Sequence, residues 1–273
     1  MNQNPKVSVL IPAYKAAPFI GEAIESILKQ SFTDFELIVA DDDSPDATWE
    51  IITHYADKDP RIVAVRNERN LGIAGNRNKL ISIARGEFVM WQDADDISMP
   101  ERMARQVAYM DSHPSVGIVG GYLQFFDEKG LGSIRHYAPD DVSLRANIFR
   151  YSPVAQPAAM LRKSAVLEAG EYDLRYPPAD DLEMSFRIGR RYQFANLQEI
   201  VVQYRETASG ATYTRLRRME LLTLEIRRKY SKDTAYRMTL LDKLYNVIHW
   251  ASVYTIPPKM KIRLFNWLRN SRS

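Results

Sequence analysis

Short apolar segments alternate with helical segments along the first 110 residues, and this alternation limits the fold more than any other feature. Four segments are short, mostly apolar and rich in β-branched or aromatic residues: 7–11, 35–40, 61–66 and 88–91. Such segments are typical of strands that are buried on both faces. The segments that follow them have apolar residues at helical spacing or a helix-start signal: 18–30, 47–56, 73–84 and 100–111. Strands that alternate with helices predict an α/β protein with a doubly wound, mostly parallel sheet.

The second half of the chain is less regular. For the middle of the chain we predict a strand, a loop, a strand, two helices and one or two final strands, at residues 116–126, 127–139, 158–161, 163–169, 181–191 and 194–204. The tail is helical in pattern over 214–230 and 232–254, with a short helix after the Pro257-Pro258 pair. Ser44 or Asp46 is the expected cap of the helix over 47–56.

The composition of the 273 residues excludes several classes of function. The chain has no Cys, so it has no disulfide, no thiolate metal site and no Cys nucleophile. Residues 1–5 lack the charged start and apolar run of a secretory signal. No run of about 18 apolar residues predicts a spanning helix. We therefore expect a cytoplasmic protein.

Charge divides the chain into an acidic body and a basic tail. Residues 214–273 contain 14 Lys/Arg and 4 Asp/Glu, a net charge of +10 in a chain whose total is +3. We predict a domain over 1–213 and a basic helical extension over 214–273. Basic residues around Trp250 and Tyr254 leave two interpretations open: peripheral contact with an anionic membrane at its inner face, or packing on the domain or on a second subunit of a homo-oligomer. No nucleic-acid recognition motif is present, so we expect no nucleic-acid partner.

Polar residues follow three of the predicted strands, where ligands bind in parallel sheets. They are Pro12-Ala13-Tyr14, then Asp41-Asp42-Asp43, then Asp93-Ala94-Asp95 with Asp96. Carboxylates at a strand end are suitable ligands for Mg²⁺ or Mn²⁺, although aspartates also form turns and helix caps.

A further acidic pair, Asp180-Asp181, precedes a predicted helix. One of these carboxylates could act as a general base, or both could simply favour the positive end of the helix dipole.

Several motifs occur in an order that resembles family 2 glycosyltransferases of the GT-A fold. The sequence VSVLIPAY at 7–14 is followed by DDxS at 41–44 with Asp46, then by Asn70, Gly72, Arg77-Asn78 and Gly86, then by DxDD at 93–96 with Pro100. A second stretch runs from Leu161 through Gly170 and Asp173 to Asp180-Asp181 and Arg187. The resemblance covers about two thirds of the chain, and residues after Tyr213 are not covered.

The resemblance implies a Rossmann-like GT-A domain with a nucleotide-sugar half (1–112) and an acceptor half (113–213). It implies transfer of a sugar from a nucleotide sugar to a hydroxyl of a glycan or lipid-linked acceptor, with a UDP-sugar as the expected donor. The transfer would invert the anomeric carbon and would depend on Mn²⁺ or Mg²⁺. Such transfer would serve the synthesis of a surface polysaccharide or lipid-linked oligosaccharide. The resemblance also implies site residues: Pro12, Ala13, Tyr14 and Asp42 around the base, Arg77 on the base or diphosphate, Asp93 on the ribose or donor sugar, Asp95 on the metal and Asp181 as the general base.

The chain departs from the family pattern at three positions. Asp43 replaces the usual Gly after the acidic pair of the second turn, and Asp can adopt the positive φ that such a turn requires. Asp180 replaces the usual Glu of the later acidic pair. Tyr204-Arg205 is followed by Glu206 and Thr207, where the family often has a His.

The same residues allow two other functions. A nucleotidyltransferase could use a similar sheet, but no Gly-rich basic phosphate loop follows the first strand. A non-catalytic module that binds sugar nucleotides would tolerate the loss of Asp95 or Asp181, and both residues are present.

Overall fold

The computed structural model describes residues 4–206, 216–257 and 260–261. Its strands are β1 (Val7–Ala13), β2 (Phe35–Asp41), β3 (Ile62–Arg66), β4 (Phe88–Trp91), β5 (Ile97–Ser98), β6 (Val116–Asp127), β7 (Gly130–Arg135), β8 (Met160–Arg162) and β9 (Gln193–Arg205). Its helices are α1 (Ile20–Leu28), α2 (Thr48–Ala56), α3 (Gly72–Ile83), α4 (Arg102–Ser112), α5 (Asp141–Arg145), α6 (Lys163–Ala169), α7 (Asp180–Ile188), α8 (Leu216–Tyr230) and α9 (Leu240–Thr255).

The strands form one sheet in the order β3-β2-β1-β4-β8-β6-β9-β5, with β7 paired to β6. Strands β3, β2, β1 and β4 are mutually parallel, and β6 is parallel to β9. The short strand β8 is antiparallel to both β4 and β6, so it joins the two parallel parts. The predicted α/β fold with a mostly parallel sheet is confirmed.

Both faces of the sheet are covered by helices, as a doubly wound sheet requires. Leu10, Ile38 and Val89 pack on one face in a cluster that includes residues of α3, α6, α7 and α8. Val9, Val39 and Met90 pack on the other face with residues of α1, α2 and α4. This alternation within each strand explains why the segments that became β1, β2 and β4 are almost continuously apolar.

The C-terminal helices are packed on the domain. The ring of Tyr230 in α8 stacks on Phe186 of α7, with centroids 4.5 Å apart and planes at 3°. Tyr236, in the turn before α9, is buried and donates a 2.7 Å hydrogen bond to the carbonyl of Phe186. None of the helices in these described ranges is long and apolar enough to cross a membrane.

Several local predictions differ from the structure. Residues 130–135 form β7 rather than a loop, since an exposed hairpin strand lacks an apolar pattern. The last long helix begins at Leu240 instead of residue 232, because Thr239 and Asp242 form a capping box there. Ala47 occupies the N-cap position of α2 and has no side chain that could cap it, but the Asp46 carboxylate accepts from the Thr48 amide at 3.3 Å, so the predicted Asp46 satisfies the helix start from one residue earlier.

Other predictions cannot be compared in full. The expected short helix after the Pro257-Pro258 pair falls mostly outside the described residues, although Met260 and Lys261 are helical. The predicted boundary at 213/214 also falls outside them.

Candidate functional site

The ends of β1, β2 and β4 meet at one edge of the sheet. The Asp42 amide donates to the Ala13 carbonyl (2.8 Å), and the Gln92 amide donates to the Leu10 carbonyl (3.1 Å). Tyr14 follows directly after β1, and 47% of its surface is exposed. The predicted donor-binding segment at 12–14 therefore lies beside the turn that contains Asp42, with an aromatic ring open to a ligand.

The turn after β2 is closed by Asp43 in the left-handed region, at φ +59°. Few residues other than Gly adopt this conformation, and Asp is one of the most tolerant. The amide of Ser44 donates to the Asp41 carboxylate at 3.2 Å, which closes the turn. The prediction that this turn survives the replacement of Gly by Asp is confirmed.

The Asp42 carboxylate is buried and binds the start of α3. It accepts hydrogen bonds from the amides of Leu71 (2.8 Å) and Gly72 (2.9 Å) and from the side-chain amide of Asn67 (2.8 Å). A carboxylate is favoured here because the first amides of a helix lack partners within the helix. These contacts fix α3 relative to the end of β2, and contact of Asp42 with a nucleotide base stays a prediction.

Arg77 connects helix α3 to helix α7. Its guanidinium forms a 2.8 Å ion pair with Asp180 at the start of α7. It also lies 5.6 Å from the ring centroids of both Trp91 and Tyr172. Burial acts to lower the pKa of Arg77, but the charge of Asp180 and its neighbours holds that pKa above its usual value. Arg77 therefore stays cationic between α3 and α7.

Asp181 is the free member of the acidic pair. Within the described ranges, no other side chain donates a hydrogen bond to its carboxylate, whereas Asp180 is fully buried against Arg77. Burial, and then the charge of Asp180, raise the pKa of Asp181 to about 6, although Arg77 opposes this shift. Asp181 also lines a small pocket with Gln156 and Tyr172. It is a carboxylate available to a ligand and more basic than an ordinary aspartate.

The DxDD segment after β4 concentrates negative charge. Burial, and then the neighbouring Asp95, raise the pKa of Asp93 to about 6. Burial also raises the pKa of Asp95, and it raises that of Asp96 well above its usual value. Asp96 Oδ1 accepts a hydrogen bond from the Arg205 amide (2.9 Å), whereas its Oδ2 is buried without a partner in the described structure.

The same segment is suitable for a divalent cation. In the described part of the chain, no group of three or more His, Asp or Glu side chains is arranged to hold a metal by itself. However, Asp93, Asp95 and Asp96 supply only oxygen donors, and their mutual repulsion would be relieved by a cation. Mg²⁺ in particular is usually held by one or two carboxylates together with phosphates of a substrate.

Two arginines that sequence reasoning missed support this segment. Arg102 is buried beneath it and donates to the Trp91 carbonyl (2.8 Å) and to Ser98 Oγ (2.9 Å). Burial lowers the pKa of Arg102 to about 9, against the attraction of Asp96 and Asp93. Arg205 Nε donates to the Asp95 carbonyl at 2.8 Å. Arg205 reaches the segment from β9, and Arg102 reaches it from the first turn of α4, where an arginine looks like an ordinary solvated residue, so neither has a local sequence signal.

The structure brings most of the predicted site residues to one region. Asp93 and Asp181 are both close enough to Arg77 to act on its pKa, and Asp95 follows Asp93. Asp42 binds the start of the helix that carries Arg77. Pro12, Ala13 and Tyr14 lie at the same edge of the sheet, at the end of β1. The arrangement places an acidic segment with oxygen donors near a buried arginine and near Asp181, whose pKa is raised.

Comparison with known proteins identifies the class of protein to which this chain belongs. The family model described as glycosyl transferase family 2 matches residues 8–170. An uncharacterized glycosyltransferase of Methanocaldococcus jannaschii is 31% identical over 223 residues, which are 80% of this chain and 76% of that protein. The Escherichia coli protein named UDP-Glc:alpha-D-GlcNAc-diphosphoundecaprenol beta-1,3-glucosyltransferase WfaP is 29% identical over 161 residues, which are 59% of this chain and 62% of that protein.

A solved structure shares the fold. The mannosyltransferase PcManGT from Pyrobaculum calidifontis, in complex with GDP-Man and Mn²⁺, superposes with a TM-score of 0.66. The match has 18% sequence identity and covers 98% of this chain and 81% of that one. The fold is thus the GT-A type, with a helical C-terminal part. The chain belongs to glycosyl transferase family 2 and is a glycosyltransferase, rather than a nucleotidyltransferase or a non-catalytic binding module.

Proposed function

We propose that this enzyme transfers a sugar from a UDP-sugar to a hydroxyl of a glycan or lipid-linked acceptor, with inversion at the anomeric carbon. The observation that carries the proposal is Asp181, a half-buried carboxylate with a raised pKa beside the Arg77–Asp180 ion pair. The E. coli relative, whose printed name includes a UDP-Glc donor and a diphosphoundecaprenol acceptor, supports this substrate class. We assign the activity to the synthesis of a surface polysaccharide or lipid-linked oligosaccharide.

The donor nucleotide would bind at the ends of β1 and β2. The exposed ring of Tyr14 offers a stacking surface for the base, and the backbone of Pro12 and Ala13 lines the adjoining edge. Asp42 would accept from the ring nitrogen of uracil through a lone pair that its present partners leave free. Arg77 Nε is buried without a partner in the described structure, and it would donate to the base or diphosphate.

Asp95 would hold Mn²⁺ or Mg²⁺, with Asp93 on the ribose or donor sugar. The carboxylates after β4 support this assignment, because they supply crowded oxygen donors of the kind that a hard cation binds. When bound, such an ion supplies charge stabilisation for a departing diphosphate. Arg102 and Arg205 hold the DxDD segment in place through hydrogen bonds to the carbonyls of Trp91 and Asp95, respectively.

Asp181 would act as the general base. The acceptor oxygen forms a bond with the anomeric carbon while the bond from that carbon to the diphosphate oxygen breaks. The hydroxyl proton passes to the Asp181 carboxylate, and the bonding electrons leave with the nucleoside diphosphate. One carboxylate is sufficient because attack opposite the leaving group inverts the centre without a covalent intermediate. A retaining mechanism would instead need a second group as nucleophile.

Replacement of Asp181 by Asn tests this assignment. Asp181→Asn is expected to lower kcat by about 10²–10⁴-fold, because general bases contribute about that much. Donor affinity should change little, since Asp181 would contact the acceptor. Thermal stability should not fall, because the amide removes a charge that burial disfavours. Steady-state kinetics and UDP titration measure these effects.

The matched control is Asp111→Asn, an aspartate at the exposed end of α4. It should leave kcat unchanged. If Asp181→Asn weakened UDP binding and left kcat intact, Asp181 would be a donor ligand, and the base would have to be sought elsewhere.

A further inference from the structure

Helix α9 is attached to the domain by its polar side. Asp242 forms a 2.7 Å ion pair with Arg150. Asn246 donates to the carbonyl of Phe149 at 2.9 Å, and His249 lies 3.3 Å from Glu220 of α8. Residues 242, 246 and 249 lie on one face of a helix by their spacing. This polar face is therefore the one that points toward the protein.

The opposite side of α9 is apolar and faces outward. This is the reverse of an ordinary surface helix, whose apolar face covers the core. The exposed fractions of its large apolar residues run from 55% to 81%, so none of them is a core residue. We call this surface the outer face of α9, and its large apolar members include Leu240, Leu244, Val247, Ile248, Trp250 and Tyr254.

The charge around this face is positive. Residues 216–257 contain eight Lys/Arg and four Asp/Glu. Three of those acids, Glu220, Asp233 and Asp242, already have basic partners on the protein. The guanidinium of Arg217 lies 5.0 Å from the ring of Tyr254, at the C-terminal end of the outer face. Arg227 is buried and Lys229 pairs with Glu183, but the six other basic residues of 216–257 face only one acid, Glu225, that has no ion pair in the described structure. The C-terminal helices therefore carry a net positive charge beside the apolar stripe.

We propose that the outer face of α9 lies in the interface of an anionic lipid bilayer. The apolar stripe would insert at the boundary between the headgroups and the acyl chains. Aromatic residues such as Trp250 and Tyr254 favour the level of the headgroups, and nearby cations attract anionic headgroups. A second copy of the chain fits less well. A two-fold interface would place the same positive surface against itself, whereas an anionic membrane has the complementary charge.

Vesicle sedimentation of the full chain tests the proposal. The protein is expected to bind vesicles of phosphatidylcholine with phosphatidylglycerol, and to bind phosphatidylcholine alone more weakly. High salt should weaken the first binding, because it screens the headgroup charge. The double variant Leu244→Asp/Ile248→Asp should weaken partitioning by at least about tenfold, since it puts charge into the apolar stripe. The test needs neither donor nor acceptor, so its outcome is independent of the proposed function.

The matched control is Leu131→Asp/Val142→Asp, which alters two equally exposed apolar residues on β7 and α5. It should bind vesicles as the unaltered chain does. Because the outer face has no packing role in the domain, both variants should keep the circular dichroism and melting temperature of the unaltered chain. The milder pair Leu244→Ser/Ile248→Ser gives the same comparison without new charge.

Three results would overturn the proposal. The first is no binding of the unaltered chain to anionic vesicles. The second is equal binding by the folded α9 variants. The third is a chain that does not bind vesicles but sediments as a dimer, which the α9 variants separate into monomers; the outer face would then be a contact between two copies.

Discussion

Asp180 and Asp181 are neighbours in sequence, but their surroundings give them different tasks. Asp180 is fully buried and holds Arg77 at 2.8 Å. Asp181 faces the pocket beside Tyr172, and burial followed by the Asp180 charge raises its pKa to about 6. A group with a raised pKa is a stronger proton acceptor yet still mostly ionised near pH 7. Asp180 is thus occupied by Arg77, and Asp181 is the carboxylate of the pair that is left for the proposed role of general base.

The turnover number should depend on pH through Asp181. Below its pKa of about 6 the carboxylate is protonated and cannot accept the hydroxyl proton. We expect kcat at saturating substrates to fall about tenfold per pH unit below that value and to level off above about pH 7. A kcat that stayed constant down to about pH 5 would contradict the role of Asp181 as base.

The residues of the site could be predicted only in part from the sequence. The carboxylates at strand ends follow from the alternating pattern, because parallel strands present their carboxyl ends at one edge. The Arg77–Asp180 ion pair could not be derived, since its members are 103 positions apart. Arg102 sits in an ordinary amphipathic helix, and only the packed structure reveals that it lies beneath Asp93 and Asp96.

At the scale of elements, α7 is held by the extension that follows the domain. The buried Glu183 carboxylate accepts from Tyr230 Oη (2.7 Å) and Lys229 Nζ (2.8 Å) of α8, and from Arg187 Nε (2.8 Å). Because Glu183 lies two residues after Asp181 on the same helix, these contacts fix the orientation of the proposed base.

Loss of the Tyr230 hydroxyl should loosen this attachment. Tyr230→Phe keeps the ring that stacks on Phe186 but leaves a buried carboxylate short of one donor. We expect the free energy of unfolding to fall by about 1 kcal/mol and kcat to fall with little change in donor KM. Urea unfolding and steady-state kinetics measure both.

Tyr55→Phe is the matched control, because the Tyr55 hydroxyl donates to Glu25 at an exposed site (2.9 Å). Its removal should cost less than about 0.5 kcal/mol. Equal costs for the two variants would mean that the contact between α8 and α7 is not a buried support for Glu183.

The predictability of an element depends on how fully it is buried. Strand β4 and helix α6 have the predicted bounds, and β1 and β2 extend only one or two residues further, because buried strands and regular helices carry clear periodicity. Strand β7 is mostly exposed, so it has no apolar pattern to find. The start of α9 depends on a turn in which Tyr236 is anchored to α7, a tertiary contact that no local pattern contains.

At the scale of the whole molecule, the proposed substrate site spans both halves of the domain. Ligands that bind only the folded state stabilise it in proportion to their affinity and concentration. UDP with Mn²⁺ should therefore raise the melting temperature, by about 2–4 °C for each kcal/mol of binding energy. Asp95→Asn should abolish the increment that Mn²⁺ adds to UDP, as measured by thermal shift.

The Asp111→Asn chain again serves as the control and should keep the full increment. A full Mn²⁺ increment in the Asp95→Asn chain would remove Asp95 from the metal site. A larger shift with GDP than with UDP would reassign the donor base, and the pocket at Tyr14 and Asp42 would have to accept a purine.

The distance in sequence between Arg77 and Asp180 determines the order in which the two sides of the site are synthesised during translation. The two partners are contributed by segments that leave the ribosome 103 residues apart. A nascent chain that has released only β1 to β4 contains the strand ends proposed for the nucleotide, but it lacks Asp181, the proposed general base. On the proposed mechanism, the group that accepts the hydroxyl proton is therefore made late in synthesis, and a chain that stops before α7 is expected to have no turnover.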